Sequence, residues 1–303
     1  MENKPAKPEI RKNIATFLVI TTLLCLPVYY LCARSGSIAA GHSPVSFALL
    51  IMWCPGLAAL ITCRLRGIPI ASLGWQWGKT KYQLWAYAIP FLYTLAAYAV
   101  IWISGKGGFY DREFVAGVAK GFGWSLPDGW VIFFFVLLAG TFGMARSLGS
   151  ALGEEIGWRG FLTPQLARLN SYTATSLWMG VIWSIYHYPL LLLADYNLGG
   201  PKWLALICFT VLVIAACFIY TWFRMKSGSL WTGAILHASH NLFIQTMFTP
   251  LTVDTGDTRL YIDEFGIGLP IATVIVAVVC WLKRKELPAA DGAISAPVLS
   301  PSE

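Results

Sequence analysis

The residues best suited to chemistry sit in one stretch, Gly153-Glu154-Glu155-Ile156-Gly157-Trp158-Arg159. Two adjacent carboxylates end an apolar run, and an arginine follows four residues after the second. On a helix Glu155 and Arg159 share a face and pair, whereas Glu154 lies about 100° round and has no obvious local partner. A carboxylate in a dry place without a counter-ion takes up a proton near neutral pH, as a general base or acid must. The chain has four histidines, and three of them, His187, His237 and His240, fall in apolar runs; His42 falls in a connecting loop. Trp183 and His187 are four apart, and so are His237 and Asn241, so each pair shares a helical face. Imidazole shares a proton with water or binds a metal, and the Asn amide donates to a developing oxyanion. His240, three residues from His237, lies on the flank of that face and is expected to stand apart from the chemistry.

Such groups need a scaffold, and composition dictates its kind. The chain of 303 residues is 57% hydrophobic and 12% charged, with a mean hydropathy of +0.62. Soluble chains carry about 25% charged residues. Ionisable side chains in a chain this apolar face the protein interior and serve function. Apolar runs near 14–33, 46–63, 82–104, 130–155, 174–193, 203–223, 230–248 and 267–282 predict an all-α polytopic bundle of eight membrane helices. The organisation expected is a cytoplasmic segment at 1–13, a membrane domain at 14–286 and a disordered Ala/Pro/Ser-rich tail at 287–303. The basic start resembles a signal peptide, but the run after it is long for one and is read as a retained span.

The net charge of +7 is distributed by topology. With the N-terminus inside, inner segments hold fifteen Lys and Arg and outer segments six, which places both termini in the cytoplasm. The excess therefore faces anionic lipid, and nucleic acid is excluded as a partner. The seven cysteines lie within or beside the spans with no C-x-x-C pair and are expected to be packing thiols. The outer segment 249–266, with Asp254, Asp257, Asp263 and Glu264, reads as a solvated acidic loop, and its spacing matches no calcium loop. The stretch 160–172 has the composition of a short interfacial helix. Such a helix would relieve a difficulty of depth between Glu154, at the end of span four, and His187, deep in span five.

The three motifs, Glu154/Glu155/Arg159, Trp183/His187 and His237/Asn241, stand in order on separate spans over residues 130–245. In this the chain resembles the CAAX-protease and bacteriocin-processing (CPBP, or Abi) family of intramembrane proteases, with Trp183 where that family usually has Phe. The resemblance implies a helical membrane endopeptidase acting on a peptide or protein substrate near the cytoplasmic leaflet of the cell membrane; a prenylated CAAX protein, a bacteriocin leader and another membrane-proximal peptide are the open substrates. It implies that Glu154 activates water beside His187, that His237 and Asn241 surround the oxyanion, and that Glu155 and Arg159 support them. A second scheme has Glu154, His187 and His237 ligate a zinc ion that acidifies its water. No H-E-x-x-H occurs, which favours the metal-free scheme. A transporter, or a non-enzymatic immunity or partner-binding protein, are the competing classes; the sequence lacks the repeat symmetry of the former.

Overall fold

The computed structural model describes residues 6–38 and 46–288. His42 and most of the tail, 289–303, lie outside the described residues. Seven long helical segments and one shorter one follow the eight apolar runs. Helix α1 spans Lys7–Ser35, α2 Phe47–Arg66 and α3 Thr80–Ile103. A strand β1, Gly108–Phe109, precedes helix α4, Arg112–Phe122. The next segment is continuous from Asp128 to Ala167, as α5 (Asp128–Leu138), α6 (Met144–Glu155) and α7 (Thr163–Ala167), joined by π-helical turns at Ala139–Gly143 and Ile156–Leu162. Then come α8 (Tyr172–Leu193), α9 (Lys202–Ser227), α10 (Trp231–Asn241) with a π-helical extension Leu242–Phe248, and α11 (Gly268–Leu282). Strand β2, Thr252–Val253, pairs antiparallel with β1.

Six of these segments are long and apolar enough to cross a membrane. The helices at 231–248 and 268–282 coincide with the remaining two expected spans but do not meet that measure. Pro27, Pro55, Pro90 and Pro189 sit inside spans, where neighbouring helices re-satisfy the freed backbone groups. All seven cysteines are free and buried, as packing thiols are.

Two glycines set the closest approach in the bundle. A Cβ on Gly153 would stand 2.7 Å from the Met52 carbonyl oxygen, and one on Gly157 2.5 Å from Pro55 Cβ. Small residues four apart let helix backbones touch. Here they lock α6 against α2 and fix the rotation of the two glutamates between them. The segment does not end at 155: it runs on for twelve buried residues to Ala167. The stretch 160–167 is thus a buried continuation of this segment and not a separate short helix. It also removes the difficulty of depth, because Glu154 lies thirteen residues, about 20 Å, above the end of its segment.

Candidate active site

The site grows from the π-helical turn after Glu155. Such turns displace side chains and free carbonyls, and they recur at functional sites. The Arg159 carbonyl accepts Arg224 Nε at 2.8 Å, and the same arginine donates to the Gly228 carbonyl. The Arg159 side chain donates from Nη1 to Glu155 Oε1 at 2.9 Å, as its spacing predicts. Its guanidinium lies 4.2 Å from the Trp183 ring and 4.1 Å from the Tyr220 ring. This aromatic sandwich holds the cation in a dry interior, where cation–π attraction is strongest.

Glu155 has a second partner that spacing does not reveal. His237 Nδ1 stands 2.9 Å from the same Oε1. A carboxylate only accepts, so Nδ1 carries the hydrogen and Nε2 is turned toward the other side of the ring. Arg159, Glu155 and His237 thus form one buried ion-pair chain, and Glu155 Oε2 has no hydrogen-bond partner.

Glu154 is not the isolated carboxylate that the spacing suggests. Its Oε2 accepts Trp158 Nε1 at 2.8 Å and Trp183 Nε1 at 2.6 Å. The first of these was available in the sequence, since Trp158 is four residues on and shares the face of Glu154. The second departs from the family pattern in chemistry as well as size, because Phe in that position has no N–H. His187 Nδ1 is 3.0 Å from the Trp183 carbonyl, which fixes its hydrogen there and leaves Nε2 as the lone-pair nitrogen of the neutral ring.

A cavity of about 120 Å³ brings these motifs together. His187, His237, Asn241 and Trp183 line it; Glu154 stands behind Trp183, which touches both. Asn241 makes no side-chain hydrogen bond among the described residues, so its amide is free for a ligand.

The cavity is also lined by residues that the sequence reading missed. Asp263 and Glu264 are buried, whereas Asp254 and Asp257 are exposed, so only part of the acidic loop is solvated. Asp263 adopts a left-handed φ of 62°, which Asp tolerates, and this turn sends Glu264 inward. Glu264 Oε1 accepts His240 Nε2 at 2.9 Å and Gln245 Nε2 at 3.3 Å, and Oε2 accepts the Tyr196 hydroxyl at 2.9 Å. His240 Nδ1 meets the Tyr93 hydroxyl. His240, expected to stand apart, lies on the cavity wall with Glu264, Gln245 and Tyr196. Burial opposes the charge on Glu264, but the hydrogen bonds from His240 and Tyr196 outweigh it and hold the carboxyl below its usual range. Burial, reinforced by the Glu264 charge, pushes Asp263 up to about 7.

Of the donor set proposed for zinc, Glu154 accepts two indoles at Oε2, while His187 and His237 bond a carbonyl and a carboxylate through Nδ1, which leaves Nε2 of each ring outside those bonds, as in metal-bound imidazoles. Among the described residues no three His, Cys, Asp or Glu side chains stand close enough to share an ion.

This fold and site define a multi-pass helical membrane protein whose three sequence motifs converge around one cavity. Residues 129–243 match the Rce1-like family, described as type II CAAX prenyl endopeptidase Rce1-like. The CAAX prenyl protease 2 of Methanococcus maripaludis is 27% identical over 150 residues, 48% of this chain and 48% of that protein. The chain thus aligns with about half the length of that curated relative. Both findings support the CPBP/CAAX family named from the motifs.

Proposed function

We propose that this chain is an intramembrane endopeptidase of the cell membrane that hydrolyses a peptide bond of a membrane-associated protein without a metal ion. The observation that carries the reading is the convergence of His187, His237 and Asn241 on one cavity with Glu154 one side chain behind it. Peptide hydrolysis needs an activated water and a stabilised oxyanion. The His187 lone pair at Nε2 and the Glu154 carboxylate take the water proton as its oxygen adds to the carbonyl carbon. Glu154 reaches that water when the Trp183 indole swings off Oε2. His237, charged against Glu155, and the Asn241 amide donate to the oxyanion. The C–N bond then breaks, and the held proton passes to the leaving amine.

The matches to a CAAX prenyl endopeptidase family model and to the CAAX prenyl protease 2 of Methanococcus maripaludis support this reaction class. A CAAX-type prenylated tail is one substrate of this class and a leader peptide another. The test is peptide release followed by mass spectrometry on the purified protein, with Glu154→Gln and His187→Ala as controls. Cleavage that both substitutions abolish, and that a chelator leaves intact, supports the proposal. Undiminished cleavage by Glu154→Gln would overturn the mechanism, and loss to chelator restored by zinc would replace it with the metal scheme.

A further inference from the structure

A second concavity lies on the outside of the bundle, along the seam between α9 and α11. It is a groove of about 350 Å³. Ala215 and Ala277, both buried, form its floor, and Val211, Val274 and Val278, all exposed, form its rim. Small side chains below and branched ones at the edge leave a furrow between the two helices. Its lining is apolar throughout except for the indole nitrogen of Trp281, which closes one end. That nitrogen donates to Thr173 Oγ1 at 3.2 Å, across to the first turn of α8.

The groove is not part of the candidate active site. Ala215 and Phe218 line the groove, whereas Val213 and Ala216 line the catalytic cavity. Ala215 stands about 200° round α9 from Val213, and Phe218 about 200° from Ala216, so the two concavities lie on opposite sides of that helix. From Val211 to Phe218, and from Val274 to Trp281, the groove runs about 10 Å along each helix. A bilayer's hydrocarbon core is about 30 Å thick, so this is about two-thirds of one leaflet. An apolar furrow of that length on the outside of a membrane bundle matches a hydrocarbon chain.

The closed end is basic. A 3-10 turn, Lys283–Glu286, follows α11 directly. Arg284 Cζ lies 3.7 Å from the centroid of the Trp281 ring, and its Nη1 donates to the Trp281 carbonyl at 2.8 Å. Lys283 and Lys285 flank it and are exposed. Among the described residues none of the three pairs with a carboxylate; the adjacent Glu286 carboxylate stands 4.0 Å from Lys226 instead. Three cations without counter-ions at the mouth of an apolar furrow complement a headgroup that carries net negative charge above its acyl chain.

We infer that this groove holds one acyl chain of an anionic phospholipid, with the headgroup phosphate met by Arg284 between Lys283 and Lys285. A zwitterionic lipid brings a cation of its own toward the same run and is held less well. The seated chain bridges α11 to α9, the helix whose other side lines the catalytic cavity.

The test uses the full chain purified in detergent, titrated with dioleoylphosphatidylglycerol or dioleoylphosphatidylcholine, with bound lipid counted by native mass spectrometry. The parent protein retains one phosphatidylglycerol and binds phosphatidylcholine more weakly. Each basic residue contributes about five-fold, so Lys283→Gln with Arg284→Gln and Lys285→Gln weakens phosphatidylglycerol binding about 10²-fold and leaves phosphatidylcholine nearly unchanged. Val278→Trp fills the groove from its exposed rim and weakens both lipids. Lys79→Gln with Lys81→Gln, two basic residues at the start of α3, changes neither. Equal affinity of the parent for the two lipids overturns the inference, as does undiminished phosphatidylglycerol binding in the triple variant or in Val278→Trp. A dimer in lipid-free detergent that Val278→Trp splits gives the groove to a second copy of the chain and overturns it too. None of these measurements uses turnover, so the lipid site is tested apart from the protease reading.

Discussion

Arg159→Ala is the sharpest test of the buried ion-pair chain. Arg159 is 1% exposed, and Glu155, its partner at 2.9 Å, is fully buried. Removing the guanidinium leaves Glu155 with His237 as its one donor and with Oε2 still unpartnered. It also empties the space between Trp183 and Tyr220. Truncating one partner of a buried pair costs about 3–5 kcal/mol, and the remaining His237 bond places this case at about 3. At roughly 2–4 °C per kcal/mol, the melting temperature in detergent falls by about 6–12 °C. Turnover falls further than stability requires, because Glu155 then holds His237 less firmly, and an oxyanion donor contributes about 10²–10³-fold. Arg159→Lys rescues both in part, since ammonium keeps the charge but lacks the planar fork that stacks between the rings. The double variant Glu155→Gln with Arg159→Met removes both charges, so it melts above Arg159→Ala while turnover stays low. Differential scanning fluorimetry and peptide release on the same preparations read both quantities. Wild-type melting together with wild-type turnover in Arg159→Ala would refute the supporting role.

Glu154→Gln, behind the cavity, should cost about 10²–10⁴-fold and Asn241→Ala, on its lining, about 10²–10³-fold in peptide release, with melting unchanged. A folded Asn241→Ala protein at full rate would remove the amide from the oxyanion site. Gly233→Ala places a methyl 2.8 Å from Glu155 Oε2 and 3.0 Å from Arg159 Cγ, and overpacking of this kind costs about 1–3 kcal/mol, read as a lower melting temperature. Asp263 has its carboxyl raised to about 7 in the folded protein. The sign follows from linkage: a raised folded value gives stability that is present at low pH and lost as pH rises through 7. Asp263→Asn removes that loss, so melting curves should show the variant gaining on the parent protein from pH 5 to pH 8; a constant difference would show Asp263 ionised throughout. The cavity wall carries Glu264 and no Lys or Arg, so peptide amides should be cut faster than peptides whose free C-terminal carboxylate falls there. Glu264→Gln should narrow that gap, and an unchanged ratio of kcat/KM for the two peptides would count against this specificity.

Several features of this protein are properties of the chain read locally. Apolar runs near twenty residues announce a membrane bundle because lipid leaves a helix no other way to satisfy its backbone. Spacing of four residues pairs Glu155 with Arg159, and it would equally have paired Glu154 with Trp158. Order along separate spans marks the three motifs as one site, and the seven cysteines read correctly as packing. The tertiary structure decided the rest. His237 meets Glu155 across 82 residues, and Trp183 meets Glu154 across 29, because Gly153 and Gly157 lock α6 on α2 and fix which way each carboxylate turns. No periodicity in the sequence encodes that rotation. The acidic loop looks solvated by composition, yet a left-handed turn at Asp263 carries Glu264 inward to His240, Gln245 and Tyr196. Burying a carboxylate in a loop depends on donors gathered from α8's end, α10 and its extension, which become neighbours only once the bundle has packed.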